Sequence, residues 1–375
     1  MSQVFPAHWN VLPFSLAVKD ATSKYSKLQK SEYLEQGKFP IVDQGQKKFG
    51  GYTDDVSVVS LDSSPAIVFG DHTRILKFID EPFCLGADGA KVLEPTAELD
   101  KKFLFYYLSS LNIESAGYSR HFKFLKENVV PVPPLDEQKR IAAILDKADA
   151  IRRKRQQAIQ LADDFLRAVF LEMFGDPVTN PKGWEIRAID ELCLEIVDCV
   201  NRTAPTVDGP TPYKMIRTTN VRNYTLDTDN VRYVDEETYR SWVRRLTPEV
   251  GDIVFTREAP AGEAAVIRTN EKIFLGQRTM HFRPDHMIVS SEYLLFELMG
   301  SGVKSQINKM HAGSTVTHLS VPECKKFKIR VPPLELQMQF ESIRDTFLKV
   351  RKMVVDASDT SLFESVSQKA FSGQL

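Results

Sequence analysis

The stretch Val132-Pro133-Pro134-Leu135-Asp136-Glu137-Gln138 recurs as Val331-Pro332-Pro333-Leu334-Glu335-Leu336-Gln337, with five of the seven residues identical. The two copies lie 199 residues apart, counted from Val132 to Val331, in a chain of 375 residues. A repeat at this distance fixes the architecture before any chemistry is considered, because it predicts two halves built on one plan.

Each copy is followed by the apolar spacing of a long helix. After Pro134 the apolar residues recur at steps of three, four and seven, which is the stripe of an amphipathic helix. After Pro333 the residues from Ile343 to Ala357 follow steps of four, three, four and three, the heptad seam of a coiled coil. A helix with one narrow seam cannot bury it alone, so we predict that the two helices pack antiparallel.

The regions outside the helices contain candidate short strands and helices. Strands are predicted near 65–69 and 252–255, and short helices at 103–111 and 291–299. The predicted fold is therefore α+β, with two mixed strand and helix domains separated by two long antiparallel helices in a pseudo-twofold internal repeat. The predicted boundaries are residues 1–130 for the first domain, 131–176 for the central helix, 177–330 for the second domain and 331–375 for the second helix.

Composition restricts the function classes. Hydrophobic residues make up 42% and charged residues 26%, which is typical of a globular protein, and no apolar run could span a membrane. The N-terminus lacks the pattern of a signal peptide, so a cytoplasmic protein with no membrane association is expected. With 49 basic and 50 acidic residues, the whole-molecule charge does not favour DNA, although a face of clustered cations could.

No catalytic or metal-binding motif is visible. The nucleotide-binding and methyltransferase patterns are absent, and Glu137-Gln138-Lys139 fits the first turn of a helix better than a nuclease site. His311 and His318 lack a third ligand, so no metal site is predicted. The four scattered cysteines, Cys84, Cys193, Cys199 and Cys324, indicate reduced core thiols.

The repeated segments resemble the specificity subunits of type I restriction-modification systems over the whole chain. The resemblance is carried by VPPLDEQKRIAAILDKADAIRRKRQQAI, its ending LRAVFLEMFGDP, the second VPPLELQ helix and the domain opening NPKGWEI. Within the second domain, YKMIRTTNV and VGDIVFTREAPAGEAAVI are similar to the family's target-recognition core. The first domain carries the looser IVDQGQKKFGGYTDD and FIDEPFCLGADGAKVL.

The resemblance implies a non-catalytic subunit whose two domains each recognise one half of a bipartite, asymmetric double-stranded DNA sequence. The helices would set the unread gap and dock two modification (methyltransferase) subunits, which restriction subunits join. No cofactor is expected on this chain, whereas S-adenosylmethionine, ATP and Mg are expected on the partner subunits. Two alternatives remain open: a coiled-coil adaptor that binds only proteins, and a diverged, self-sufficient DNA nuclease or methyltransferase.

Candidate DNA-binding residues are polar side chains on predicted loops, where they can reach base edges or phosphates. They are Gln44, Gln46, Lys47, Lys48, Tyr52, His72, Arg74, Arg120 and His121 in the first domain, and Arg217, Thr218, Thr219, Asn220, Arg257, Gln277, Arg278, His311, Ser314 and Thr315 in the second.

The central helix adds two further candidates. The run Arg152-Arg153-Lys154-Arg155 could neutralise DNA phosphates or be an ordinary solvated face. The residues Phe165, Leu166, Phe170 and Met173 provide more apolar surface than one seam can cover, so we predict that they bind a partner subunit.

Overall fold

The computed structural model describes residues 5–61, 64–96, 98–114, 117, 119–310, 318–356 and 360–375. These residues form two compact units. The first unit comprises Met1–Gln157 and Val355–Leu375, and the second comprises Ala158–Val354. Each unit therefore contains one globular domain together with segments of both long helices.

The first unit contains two four-stranded sheets and a separate strand pair. Its strands are β1 (Asn10–Pro13), β2 (Val18–Asp20), β3 (Lys27–Leu28), β4 (Phe39–Val42), β5 (Gly51–Thr53), β6 (Ala66–Gly70), β7 (Leu76–Ile79), β8 (Cys84–Gly86), β9 (Ala90–Pro95) and β10 (Val129–Val132). The antiparallel sheet has the order β2-β9-β6-β7, the mixed sheet has the order β3-β8-β4-β5, and β1 pairs with β10. Its helices are α1 (Phe14–Ala17), α2 (Lys101–Ser110), α3 (Phe122–Leu125) and the first part of α4 (Leu135–Phe174).

The second unit repeats this plan. Its strands are β11 (Glu185–Ala188), β12 (Cys193–Asp198), β13 (Tyr213–Ile216), β14 (Val221–Arg222), β15 (Thr225–Leu226), β16 (Arg232–Tyr233), β17 (Ile253–Thr256), β18 (Ala264–Val266), β19 (Lys272–Leu275), β20 (Thr279–Pro284) and β21 (Lys328–Val331). Its helices are α5 (Glu236–Trp242), α6 (Ser291–Met299), α7 (Ser301–Met310), α8 (Val321–Cys324) and α9 (Leu334–Asp356). A last helix, α10 (Thr360–Phe371), belongs to the first unit.

Strand pairing shows that the internal repeat extends through both domains. The order β2-β9-β6-β7 in the first unit matches β12-β20-β17-β18 in the second, and the parallel pair β4·β8 matches β13·β19. The pairs β1·β10 and β11·β21 have the same register, with Asn10 opposite Val132 and Glu185 opposite Val331. The predicted α+β class and internal repeat are confirmed.

The glutamine of each repeated Pro-Pro-Leu segment joins the start of a long helix to the domain core. Gln138 is fully buried, accepts a hydrogen bond from the backbone N–H of Asp100 at 2.7 Å and donates to the carbonyl of Pro133 at 2.7 Å. Gln337 is equally buried, accepts from the N–H of Ser290 at 2.9 Å and donates to the carbonyl of Pro332 at 2.8 Å. Asp100 and Ser290 are the N-caps of α2 and α6, so the same bond locks the same two helices together in both units.

The long helices pair antiparallel within each unit, as predicted. In the second unit Phe165 faces Phe347 and Phe170 faces Phe340, with ring centroids 6.2 and 5.2 Å apart. In the first unit Arg152 lies 5.0 Å over the ring of Phe363. Helix α4 runs without interruption for 40 residues. In the second repeat the described helices are α9 and α10, and residues 357–359 lie outside the described part of the chain.

The C-terminal carbonyls of α4 are bound by side chains of the second unit. The buried guanidinium of Arg330 donates from Nη1 to the carbonyls of Phe174 and Gly175 at 2.8 and 2.9 Å, and it pairs with buried Glu297. Trp184 Nε1 donates to the carbonyl of Phe174 at 2.9 Å, and Lys182 Nζ binds the two preceding carbonyls. Since free carbonyls at a helix end otherwise need solvent, these contacts fix the end of α4 to the domain that follows it.

Candidate nucleic-acid interface

In the second unit, three loops that carry candidate residues lie next to each other, together with residues 318–319. We call residues 217–220, 257–259, 276–278 and 318–319 the second loop cluster. The N–H of Gly276 donates to the carbonyl of Ile216 at 2.7 Å, and the N–H of Arg257 donates to the carbonyl of Arg278 at 2.8 Å. The N–H of Leu319 donates to the carbonyl of Arg257 at 3.1 Å. These backbone bonds hold loops from distant parts of the sequence in one surface.

The first unit has the corresponding arrangement. We call residues 43–48, 71–74, 87–89 and 120–121 the first loop cluster. The N–H of Asp71 donates to the carbonyl of Gly89 at 2.6 Å, and the N–H of His121 donates to the carbonyl of Asp71 at 2.8 Å. Thr73 Oγ1 donates to the carbonyl of Gln44 at 2.6 Å. The two loop clusters therefore occupy equivalent places on equivalent sheets.

Three predicted DNA-binding residues use their side chains to build these loops. Gln44 Oε1 accepts from the N–H of His72 at 3.2 Å, and His121 is buried against the carbonyl of Asp71 at 3.0 Å. Asn220 is buried, accepts from the N–H of Arg217 at 3.0 Å and donates to the carbonyl of Asn230 at 2.9 Å. The structure buries His121 and Asn220 and half-buries Gln44, because loop backbone needs its own hydrogen-bond partners.

The remaining candidates are at least partly accessible. The exposed ones are Gln46, Lys47, Lys48, Arg74, Arg120, Thr219, Gln277 and Arg278, and the half-buried ones are Tyr52, His72, Arg217, Thr218 and Arg257. Several already have partners within the chain: Lys48 pairs with Asp80 and Glu81, and Arg74 Nη1 donates to the carbonyl of Ile113 at 2.8 Å. Tyr52 lies on β5, outside the first loop cluster, and His311, Ser314 and Thr315 lie outside the described residues.

An acidic residue at the centre of the second loop cluster, Glu258, was not among the predicted DNA-binding residues. The carboxylate of Glu258, whose side chain is 21% exposed, forms an ion pair with Arg278 Nε at 3.0 Å and a second one with His318. Arg278 itself has a positive φ of 69°, which non-glycine residues rarely adopt. The only signal for Glu258 in the sequence was its position between Arg257 and a proline-containing loop, which did not distinguish it from a solvated surface residue.

The prediction that four apolar residues of α4 face a partner needs correction. Leu166 and Phe170 are only 5% and 4% exposed because they pack in the core of the second unit with the aromatic residues of α6 and α9. Met173 is partly buried against the same core, and Phe165 alone of the four is largely exposed, at 55%. The excess apolar surface seen in the sequence is covered largely by the chain itself.

The basic run on α4 is tied to a carboxylate. Arg152 and Arg153 both pair with Asp149, at 2.6 and 3.1 Å, while their side chains stay more than half exposed. These cations are thus partly neutralised within the helix, which weakens any attraction of this face to phosphate.

No described group of three or more His, Cys, Asp and Glu side chains is placed to hold a metal ion. The four cysteines are free, as predicted, and burial raises the pKa of the Cys324 thiol to about 12, so it stays protonated. None of the helices in the described ranges has the length and apolar character needed to span a membrane.

Comparison with known proteins gives consistent similarities. The family described as "Type I restriction modification DNA specificity domain" matches residues 19–161 and again 181–351. The MjaVIII type I restriction enzyme specificity subunit of Methanocaldococcus jannaschii is 22% identical over 360 residues, which cover 88% of this chain and 84% of that protein. The EcoBI specificity subunit of Escherichia coli is 20% identical over 332 residues, covering 79% and 70%. The crystal structure of the S subunit of a type I restriction-modification system from M. genitalium has a TM-score of 0.55 at 15% identity, covering 99% and 97% of the two chains, and so shares the fold.

Proposed function

Because the chain belongs to the family of type I restriction-modification DNA specificity subunits, which are not enzymes themselves, we propose that each loop cluster reads one half of a bipartite, asymmetric sequence in double-stranded DNA. Target recognition by two domains is the family's role. The division of labour between the first and the second loop cluster is our assignment for this chain.

The observation that supports this assignment is the contrast between the scaffold and the loops. Equivalent strands, the two buried glutamines and two backbone bonds of each loop cluster recur in both units. The residues on those loops differ: Asp71-His72 in the first unit corresponds to Arg257-Glu258 in the second, and Gly89 corresponds to Arg278. A common scaffold with different polar side chains is what two different half-sites require.

The rest of the complex follows from the same proposal. We assign residues 1–130 and 177–330 to the two recognition domains, and residues 131–176 and 331–375 to the helices that set the unread gap and dock two modification subunits. Restriction subunits would join this complex. S-adenosylmethionine, ATP and Mg would then be bound by the partner subunits, and the assembly would work in the cytoplasm.

A selection experiment tests the proposed function. The full chain, bound to its modification subunit, is incubated with a pool of random double-stranded DNA at several salt concentrations, and bound DNA is sequenced. We expect enrichment of one motif with two defined halves and an unspecified gap. Enrichment of no motif would favour a protein-binding adaptor, and methylation or cleavage by the chain alone, with cofactor and metal added, would favour a self-sufficient enzyme.

A further inference from the structure

We propose that Arg278 is the side chain of the second loop cluster that reads a guanine in the DNA half-site of the second unit. This inference rests on the proposed function, and it names a residue and a base that the proposed function leaves open. It is carried by the backbone conformation at Arg278, by the residue at the equivalent position of the repeat, and by the ion pair that orients its side chain.

The equivalent position is fixed by strand register. In the first unit β6 ends opposite the start of β9, with Gly70 paired to Ala90, and in the second unit Thr256 of β17 is paired to Thr279 of β20. The residues just before these pairs are Gly89 and Arg278. Their carbonyls accept the same backbone hydrogen bond, from Asp71 in one unit and from Arg257 in the other.

Both positions have a positive φ, but only the first unit has glycine, the residue that adopts this conformation without strain. Gly89 has a φ of 65° and Arg278 has a φ of 69°. Glycine adopts this conformation freely, whereas a side chain at Cβ makes it unfavourable. In the first unit a Cβ at Gly89 would also collide with Gln44. Glycine is therefore the residue that this turn conformation favours, and the backbone conformation gives no reason for an arginine at position 278.

The arginine side chain is exposed, and an ion pair orients it. It is 59% exposed, and its Nε forms the ion pair with Glu258 at 3.0 Å. Glu258 is half-buried and also pairs with His318, so its carboxylate is itself held by a second partner. Among the described residues, Nη1 and Nη2 of Arg278 donate no hydrogen bond, so the outer edge of the guanidinium is available.

That available edge has the chemistry to recognise guanine. Two parallel N–H groups of a guanidinium match the O6 and N7 acceptors that guanine presents in the major groove, and no other base presents this pair. An orientation fixed before binding lowers the entropy lost when the contact forms. A phosphate contact by the same group would instead be insensitive to sequence, so the two kinds of contact can be separated experimentally.

The test repeats the DNA selection with variants of the full chain bound to its modification subunit. Arg278→Gly restores the residue that the repeat carries, and Arg278→Lys keeps the charge without the planar fork. As a matched control, Arg240→Ala removes another exposed arginine of the second unit, one that pairs with Glu236 within α5. Thermal unfolding of each variant is measured in parallel.

We expect Arg278→Gly to lose the preference for guanine at one position of one half-site by about five- to 150-fold. The other half-site and the gap should not change, and the melting temperature should equal or exceed that of the wild type. Arg278→Lys should show a smaller loss at the same position. The control should retain the full motif.

Other outcomes overturn the proposal in distinguishable ways. An unchanged motif, with or without a uniform loss of affinity, would reject base reading by Arg278 while leaving the proposed function intact. A lower melting temperature for Arg278→Gly would show that the arginine serves the fold, and Arg278→Lys with an unchanged preference would reject the guanine contact even if the glycine variant does not fold. If the wild-type complex selected no motif, the proposed function would fail and this inference with it.

Discussion

At the scale of single residues, Asp252 illustrates how a loop position can be structural. Asp252 is buried and its carboxylate pairs with His281 at 2.6 Å and with Arg283 at 2.8 Å. Burial would raise the pKa of Asp252, but the hydrogen bonds from His281 and Arg283 outweigh that effect and hold its pKa at about 2. Since Asp252 precedes β17, this cluster supports the strand that leads into the second loop cluster.

Replacement of this carboxylate should destabilise the second domain. We expect Asp252→Asn to lower the free energy of unfolding by about 3 kcal/mol, because it removes the buried carboxylate that pairs with the partly buried guanidinium of Arg283. Asp208→Asn, at an exposed loop position, is the control and should have little effect. Urea denaturation measures both variants, and equal stabilities would contradict this account.

The lowered pKa of Asp252 also predicts how the stability of the second domain depends on pH. This pKa is lower in the folded chain than the ordinary value of 3.8, so the stability that the carboxylate contributes is present above pH 3.8 and is lost as the pH falls towards 2. The loss should be about 2 kcal/mol and should be absent in Asp252→Asn.

The sequence predicted which polar residues lie on the loops, but it did not predict which of them bind the loop backbone instead of facing solvent. Gln44, His121 and Asn220 have the side chains that DNA readers use, and they do lie in the loop clusters. Their structural roles depend on which backbone groups of the folded loops need a hydrogen-bond partner, and for Gln44 and His121 those groups are distant in the sequence. The local pattern could not separate them from Arg278.

At the scale of elements, the repeated Pro-Pro-Leu segment joins each long helix to its domain. The leucine and prolines set the start of the helix, while the buried glutamine binds both the chain before the helix and the N-cap of the short helix beside it. The repeat of these letters therefore reflects a shared structural joint rather than a shared binding site.

Loss of one such joint should be costly. We expect Gln337→Ala to lower the free energy of unfolding by about 2 kcal/mol, because the N–H of Ser290 and the carbonyl of Pro332 are left buried without a partner. Gln339→Ala, two residues further along the same helix and exposed, is the matched control. Urea denaturation measures the free energy of unfolding of both variants. Equal values would mean that the bonds of Gln337 do not stabilise the domain.

Four short elements outside the long helices were predicted closely. The short helices expected at 103–111 and 291–299 are α2 and α6, and the strands expected near 65–69 and 252–255 are β6 and β17. The pairing of β1 with β10, which closes the first domain, was not predictable, since it joins segments more than a hundred residues apart through backbone hydrogen bonds. The burial of Leu166 and Phe170 was missed for the same reason, because their partners on α6 are distant in sequence.

At the scale of the whole molecule, the two units share a scaffold and differ in the side chains on their loops. The parts that are alike in the two units are the strands, the helix joints and two backbone bonds of each loop cluster, and these serve the fold. The parts that differ are the exposed side chains on the loops. Recognition by two independent domains is the central claim, and it requires that each half of the target depends on one domain alone.

The most direct test is a domain exchange. Residues 1–130 are replaced by the equivalent block of a relative that has a different target, and the DNA selection is repeated with the chimeric chain and its modification subunit. We predict that one half of the selected sequence changes to that of the relative, while the other half and the gap stay the same. A change in both halves, or in neither, would contradict the account.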